Sequence, residues 1–494
     1  MMKQQRWLAM TAVLAMTATV LAACGGSNEA APSASGGSSA SASPSETAAG
    51  TASASAQPTE SAAPAPVKIK IGNWPKPNDD ANKKVFEDAE RQMKEKYPYV
   101  TIDKDEWGYD VVSFLPKAVS GQLPTLYDSY YTEADKIIKA KYSADVTAQV
   151  KAYGFDTGIN PDLLKLVERD GRYYGLPKDG YVIGMMYNLN VFKEAGLLGA
   201  DGAPAFPKTY DELAQTAVEI KKKTGKAGFF FPTKNNQGGW FFMNIAWAYG
   251  ADFETQDNGK WKAVFNSPEA VEALQYVKDL KWKYDVLPAN NLVDTNDLLM
   301  QFGTDQVAMS FGMYEFMAPL VLNAKMSKDA LALSANPAGP KGNAAVLGGG
   351  LYMFAPGSSQ EQLDAAFKWL ELRGTSPKAS PEALAALETN LQAQSGQGYP
   401  IGPHGLQIWT DPDRLAAEQQ IVDKYTNVNM ALFRDYMDNG TQGLRPEPPV
   451  NAQELYKTLD VVIQAVLTKK DADPKALLDK AAAEFQRDYL DKVQ

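Results

Sequence analysis

The stretch DGRYYGLPKDGYVIGMMYNLNVFKEAGL, Asp170 to Leu197, decides the fold. Asp170-Gly171 is a turn pair, and the residues up to Pro177 read as a short strand. Lys178-Asp179-Gly180 is a polar joint, which by itself is only a loop. Tyr181 to Asn188 is apolar at both parities, the pattern of a strand buried on both faces, and the next residues take helical spacing that ends near Gly196.

The same rhythm extends outward from this block. Val67, Ile69 and Ile71 alternate with Lys68 and Lys70 as a half-buried strand. A helix with Phe86, Ala89, Met93 and Tyr97 on one face follows, ended by Pro98, and VTIDKDEW returns to a strand. This β-α-β order predicts a parallel sheet covered by helices on both faces, with ligands at the carboxyl ends of strands. Downstream, Thr209 and Glu212 predict a capping box, Gly225 ends that helix, and Ser267-Pro268 opens another carrying Val271, Leu274, Val277, Leu280 and Tyr284. VAMSFG (Val307 to Gly312) and ALALSANP (Ala330 to Pro337) are further strands. The 494 residues are 45% hydrophobic and 10% aromatic, enough for two or three domains with real cores. One uninterrupted α/β rhythm from Val67 onward, with no solenoid-type repeat, favours two intertwined lobes over separate beads.

Four more blocks occur in order: FNSPEAVEAL (Phe265 to Leu274), FGTDQVAM (Phe302 to Met309), NPAGPKG (Asn336 to Gly342) and AAFKWLEL (Ala365 to Leu372). Together with Asp170 to Leu197, this ordered set resembles the extracellular solute-binding proteins of carbohydrate ABC transporters, the group that includes maltose-binding protein. The resemblance covers most of Val67 to Gln494. One departure is PTLYDSYY (Pro124 to Tyr131), where Thr125 stands in place of the family's usual aspartate. The resemblance implies a periplasmic-binding-protein-like α/β fold, two lobes joined by a multi-strand hinge with the ligand cleft between them. It implies chain crossings near Lys178 to Tyr181, Ala330 to Leu333 and Arg445 to Pro449. Residues 67–178 with about 331–445 then form one lobe, and about 179–330 with 446–494 the other.

A sugar cleft needs aromatic faces for C–H surfaces and polar side chains for hydroxyls. Trp74 follows the first strand, Trp107 the second, and Asp128 with Tyr130 and Tyr131 the third. Lys178, Asp179 and Tyr181 lie at the joint, and Asn235, Asn236 and Trp240 in the loop TKNNQGGW. Tyr314 follows VAMSFG, where the resembled family often places a stacking aromatic. Gly348 to Gly350, Gly349 among them, leaves room for backbone to approach a ligand. Each aromatic has plain packing as its alternative, and the two aspartates have a helix cap or turn bond. Trp282 and Trp369 lie on helices with apolar neighbours and read as core.

The amino terminus carries Lys3 and Arg6, then an apolar run to Leu21, the layout of a secretory signal over residues 1–23. Leu21-Ala22-Ala23-Cys24 resembles the lipobox of bacterial lipoproteins, which implies a lipid on Cys24 and a cell-membrane anchor on the extracellular face. Gly25 to Pro66 has no aromatic residue and no Val, Ile, Leu or Met, so it cannot fold alone and reads as a tether spanning roughly 35 Å. Without Lys3 and Arg6, 47 basic side chains face 59 acidic ones, a net charge of −12.

That charge argues against nucleic acid, whose phosphates require a basic face. One cysteine and one histidine, His404, leave no usual zinc ligand set and no intramolecular disulfide. DFETQDNG (Asp252 to Gly259) lacks the spacing of a calcium loop, and neither a phosphate loop nor a nucleophile elbow occurs. The expected function is a monomeric, lipid-anchored sugar-binding component of an ABC importer with no cofactor, no metal and no catalytic residue, delivering an oligosaccharide or related sugar to the permease. The alternatives are a surface-anchored glycoside hydrolase, which needs only two carboxylates and aromatic subsites, and a binding protein for polyamine or peptide ligands.

Overall fold

The alternation at Val67, Ile69 and Ile71 buries all three side chains, and these residues form an interior strand of a five-stranded sheet, next to its edge. A computed structural model describes residues 64–77 and 80–493. Cys24, the expected signal segment and the tether lie outside the described residues. Val67–Ile71 pairs in parallel with Val100–Lys104 and, at Ile71, with Leu126 of the strand Leu126–Tyr130. Gly350–Phe354 runs antiparallel to Leu126–Tyr130, and Gly175–Pro177 closes the sheet at its other edge. The helices Asp80–Lys96 and Gln360–Leu372 pack together, with Phe86, Met93, Phe367 and Trp369 buried in this lobe's core.

The second lobe is built on a four-stranded sheet. Gly184–Asn188 lies antiparallel to both Leu331–Ser334 and Val307–Gly312, and the latter pairs in parallel with Ala227–Phe230. Its helices follow the caps anticipated from sequence. The Thr209 side chain accepts from the Glu212 N–H at 3.2 Å, while Glu212 accepts from the Lys208 N–H rather than from Thr209, so the expected box is displaced by one residue. Gly225 ends that helix at φ 72°, and Ser267 caps Pro268–Trp282 through the Ala270 N–H at 3.2 Å. Asp252 to Gly259 contributes a hairpin strand, Glu254–Asp257 paired with Lys260–Ala263, turning at Asn258-Gly259.

A third, three-stranded sheet lies at the joint: Ala345–Gly348 pairs in parallel with Leu444–Pro446 and antiparallel with Tyr181–Val182. The chain first passes from one sheet to the other between Pro177 in the first and Gly184 in the second. The other two crossings differ from those expected. Leu331, Leu333, Ala344 and Val346 belong to the second lobe's core, so the chain crosses back at Gly348 to Gly350 and not at Ala330 to Leu333. Arg445 to Pro449 is flanked on both sides by that same core, at Tyr436 and at Val450, and only its first two residues lie in the edge strand of the joint sheet, Leu444–Pro446. The last crossing lies between Trp409, packed on the first core, and Val428, buried in the second. Accordingly, 331–346 and the residues from Val428 onward lie with the second lobe, unlike the expected division. Among the described residues no helix is long and apolar enough to cross a membrane.

Candidate functional site

At the carboxyl end of Val67–Ile71 the chain turns through Gly72 and Asn73, the latter in the left-handed region at φ 53°. This turn opens a cavity of about 590 Å³ in the first lobe, bounded by Asn73, Trp74, Asp128, Lys178, Tyr352 and Arg373. The Asp128 carboxylate receives the Lys178 ammonium at 2.6 Å and the Asn73 amide at 2.9 Å. Burial pulls the Lys178 pKa down, but the charge of Asp128 outweighs it and holds the ammonium above the usual lysine range. Trp74 contributes one side to this cavity while its ring stacks on Trp369 at 5.8 Å and meets the edge of Phe86 at 5.1 Å.

A second cavity, of about 140 Å³, lies between the lobes. Its wall includes Tyr130 and Thr132 from the first lobe, Tyr181 from the joint, and Asn236, Trp240 and Tyr456 from the second. The loop TKNNQGGW is held by Asp460, whose carboxylate accepts from the Asn236 N–H at 2.8 Å and the Gly239 N–H at 2.9 Å at the start of the helix Gln237–Tyr249. Burial pushes the Asp460 pKa up to about 6 against these donors. Gly239 is required here, since a Cβ would stand 2.5 Å from the Tyr456 backbone of the helix Ala452–Thr468. That close approach delivers Gln453 and Tyr456 to the cavity. The Tyr456 hydroxyl donates to Glu447 at 2.8 Å, and burial pushes the Glu447 carboxyl up to about 7.

Leu126, Asp128 and Tyr130 alternate along one strand and therefore point to one face. The first two line the first-lobe cavity and the third lines the interlobe cavity, so the two lie end to end. Thr132 continues the line into a third cavity of about 440 Å³, bounded by Lys136 and Glu454. Two contacts bridge the lobes along it: Gln453 donates to the Thr132 hydroxyl at 3.4 Å, and Lys136 stands 3.8 Å from Glu454.

The residues expected at the site thus separate. Trp74, Asp128 and Lys178 line the first-lobe cavity, and Tyr130, Tyr181, Asn236 and Trp240 the interlobe one. Trp107 and Tyr314 line neither. Trp107 packs beside Tyr127 and donates to Ser113 at 3.1 Å, and Tyr314 packs on the second lobe's core. Asp179 is a joint fastener: its carboxylate accepts from the Gly350 N–H at 2.7 Å and its carbonyl accepts from the Tyr131 hydroxyl at 2.6 Å. The glycine run serves the protein's own side chains. A Cβ on Gly348 would meet Tyr181 at 2.1 Å, and one on Gly349 would meet the Asp179 carbonyl at 2.4 Å and Tyr131 at 2.5 Å. Sequence reasoning missed Thr132, Gln237, Glu447, Gln453 and Tyr456. Two of them carried a signal, Gln237 inside the loop TKNNQGGW and Glu447 as an acid in the proline-rich RPEPPV. His404 is half-buried, with its ring bonded to the Gly405 carbonyl.

Aromatic faces, amides, hydroxyls and a few carboxylates along an elongated groove can hold a polyhydroxylated solute by stacking and hydrogen bonds. Among the described residues no group of three or more His, Cys, Asp or Glu side chains converges to hold a metal ion.

Known proteins resemble this chain in sequence and fold. The arabinooligosaccharide-binding protein of Bacillus subtilis is 25% identical over 341 residues, 66% of this chain and 70% of that protein. A putative binding protein of Brucella abortus is 25% identical over 40% of this chain and 46% of its own length. In fold, an ABC transporter solute-binding protein from Thermotoga lettingae, bound with alpha-D-tagatose, aligns at TM-score 0.63 and 21% identity, covering 86% of this chain and 99% of that one. An ABC substrate-binding protein from Listeria monocytogenes, in complex with cycloalternan, aligns at TM-score 0.65 and 16% identity over 86% and 99%. The sequence model of the bacterial extracellular solute-binding proteins matches residues 90–401, more than half of the chain, and this chain belongs to that family.

Proposed function

We propose that this protein is the lipid-anchored binding component of an ABC importer, capturing an oligosaccharide or related sugar in the groove and delivering it to the membrane permease without chemical change. The observation that carries this reading is the end-to-end run of cavities from Asn73 through Tyr130 to Glu454, which crosses from one lobe to the other at the joint. A groove built this way favours an elongated ligand, because both lobes contact it and the joint closes on it. The relative named as an arabinooligosaccharide-binding protein and the fold neighbours bound with tagatose and cycloalternan support the same ligand class. The reading is tested by thermal unfolding against a panel of neutral oligosaccharides: selective stabilisation that grows with ligand concentration is expected, and silence across the panel contradicts it.

The membrane attachment rests on Cys24 and its flanking residues. Acyl chains each contribute about 0.8 kcal/mol per buried methylene, so two or more hold the protein and a single one does so weakly. Replacing Cys24 by alanine is expected to release the protein from the membrane fraction or leave it unprocessed, with sugar binding unchanged. Retained attachment with normal processing contradicts the anchor.

A further inference from the structure

The interlobe cavity has an unusual chemistry for its size. Tyr130, Tyr181, Trp240 and Tyr456 supply four aromatic rings around one carboxylate, Glu447, and no lysine, arginine or histidine lines the space. Tyr181 and Trp240 meet at 5.8 Å with their planes at 90°, so a face of one stands beside the edge of the other. Glu447 accepts from the Tyr456 hydroxyl, and the charged group that acts on it is another carboxylate, Glu133. The buried Trp240 indole N–H also acts on the Glu447 carboxylate, as a second donor beside the Tyr456 hydroxyl although short of full hydrogen-bond geometry. The lysines on either side of it in the groove are already matched, Lys178 by Asp128 at 2.6 Å and Lys136 by Glu133 at 3.5 Å. Two more carboxylates, Asp179 and Glu315, add their fields at the Tyr181 ring.

A carboxylate withdrawn from water without a counter-ion is costly, and a cation entering beside it removes that cost. Aromatic faces attract the same cation through their quadrupoles. At about 140 Å³ the space is below the roughly 300–1,000 Å³ of pockets that enclose a whole solute, so it suits one head group. We propose that the interlobe cavity takes a cationic amino group, protonated or quaternary, carried by the captured solute, whose neutral remainder lies along the adjoining groove. This rests on reading the groove as the solute site.

The test uses choline, a permanent cation, against its neutral isostere 3,3-dimethyl-1-butanol, by calorimetry on the purified protein, with neutral oligosaccharides as a separate arm. Choline is expected to bind about tenfold or more tightly than the isostere, the scale of a desolvated cation–aromatic contact with a charge partner. Glu447→Gln and Trp240→Leu are each expected to remove that preference. Equal affinity for the two probes, or no choline binding, overturns the amino-group assignment even where the oligosaccharides bind. A choline preference with silence across the oligosaccharides upholds the assignment and overturns the sugar reading of the groove.

Discussion

Glu447 shows how one buried acid couples the groove to pH. Burial moves its carboxyl from an ordinary 4.5 to about 7 in the folded protein. Between those values the folded chain holds a proton that the unfolded chain has lost, so stability falls as pH rises from about 4.5 to about 7. Glu254, raised by burial to about 8, and Asp460, raised to about 6, act in the same direction. Glu447→Gln keeps an acceptor for the Tyr456 hydroxyl and removes the ionisation. The variant is expected to match the wild type in melting temperature near pH 4.5 and to exceed it near pH 8 in the absence of ligand; identical melting profiles across that range contradict this account. Trp74 illustrates the limit of reading single residues. Its place directly after a strand marks it as a loop aromatic, yet its ring stacks on Trp369, a contact between distant parts of the chain that no local spacing announces.

At the scale of elements, strands and caps were legible because their signals are local. The alternation at Val67 to Ile71, the serine–proline start at Ser267 and the glycine stop at Gly225 each act within a few residues. The lobe to which an element belongs is a different matter. Leu331–Ser334 is buried on both faces, and such a strand carries no mark of the sheet it joins. Likewise, Gln453 and Tyr456 reach the groove only because the helix Ala452–Thr468 packs against Gly239 and Asp460 fastens the loop before it. The joint makes a sharper prediction. Gly349→Ala forces a Cβ against the Asp179 carbonyl and the Tyr131 ring, both held by their mutual hydrogen bond. It is expected to destabilise the protein by about 1–3 kcal/mol in urea unfolding, the usual cost of overpacking. Gly396→Ala, in a helix with nothing near the added methyl, serves as the control and is expected to be neutral or stabilising by about 0.4–1 kcal/mol. Equal effects at the two positions contradict a packed joint.

For the whole molecule, the two cores, the joint sheet and the groove between them form one mechanical unit. The bridges from Thr132 to Gln453 and from Lys136 to Glu454 close the groove on the side away from the first-lobe cavity, and they are weak enough to break when the lobes part. The interlobe cavity is bounded by residues of both lobes, and in the function proposed above an oligosaccharide enters it after hinge opening. The central claim is that solute is held where the two lobes meet. Titration calorimetry with the oligosaccharide that most stabilises the wild type tests it directly, on the wild type, Trp240→Ala, Asp128→Ala and Trp282→Phe. Trp282 lies outside the groove, bonded to the Val466 carbonyl at 2.8 Å. Affinity is expected to fall about tenfold or more in the first two variants, as for loss of an aromatic or charged contact worth at least 1.4 kcal/mol, and to be unchanged in Trp282→Phe. Wild-type affinity retained in both Trp240→Ala and Asp128→Ala would contradict the claim.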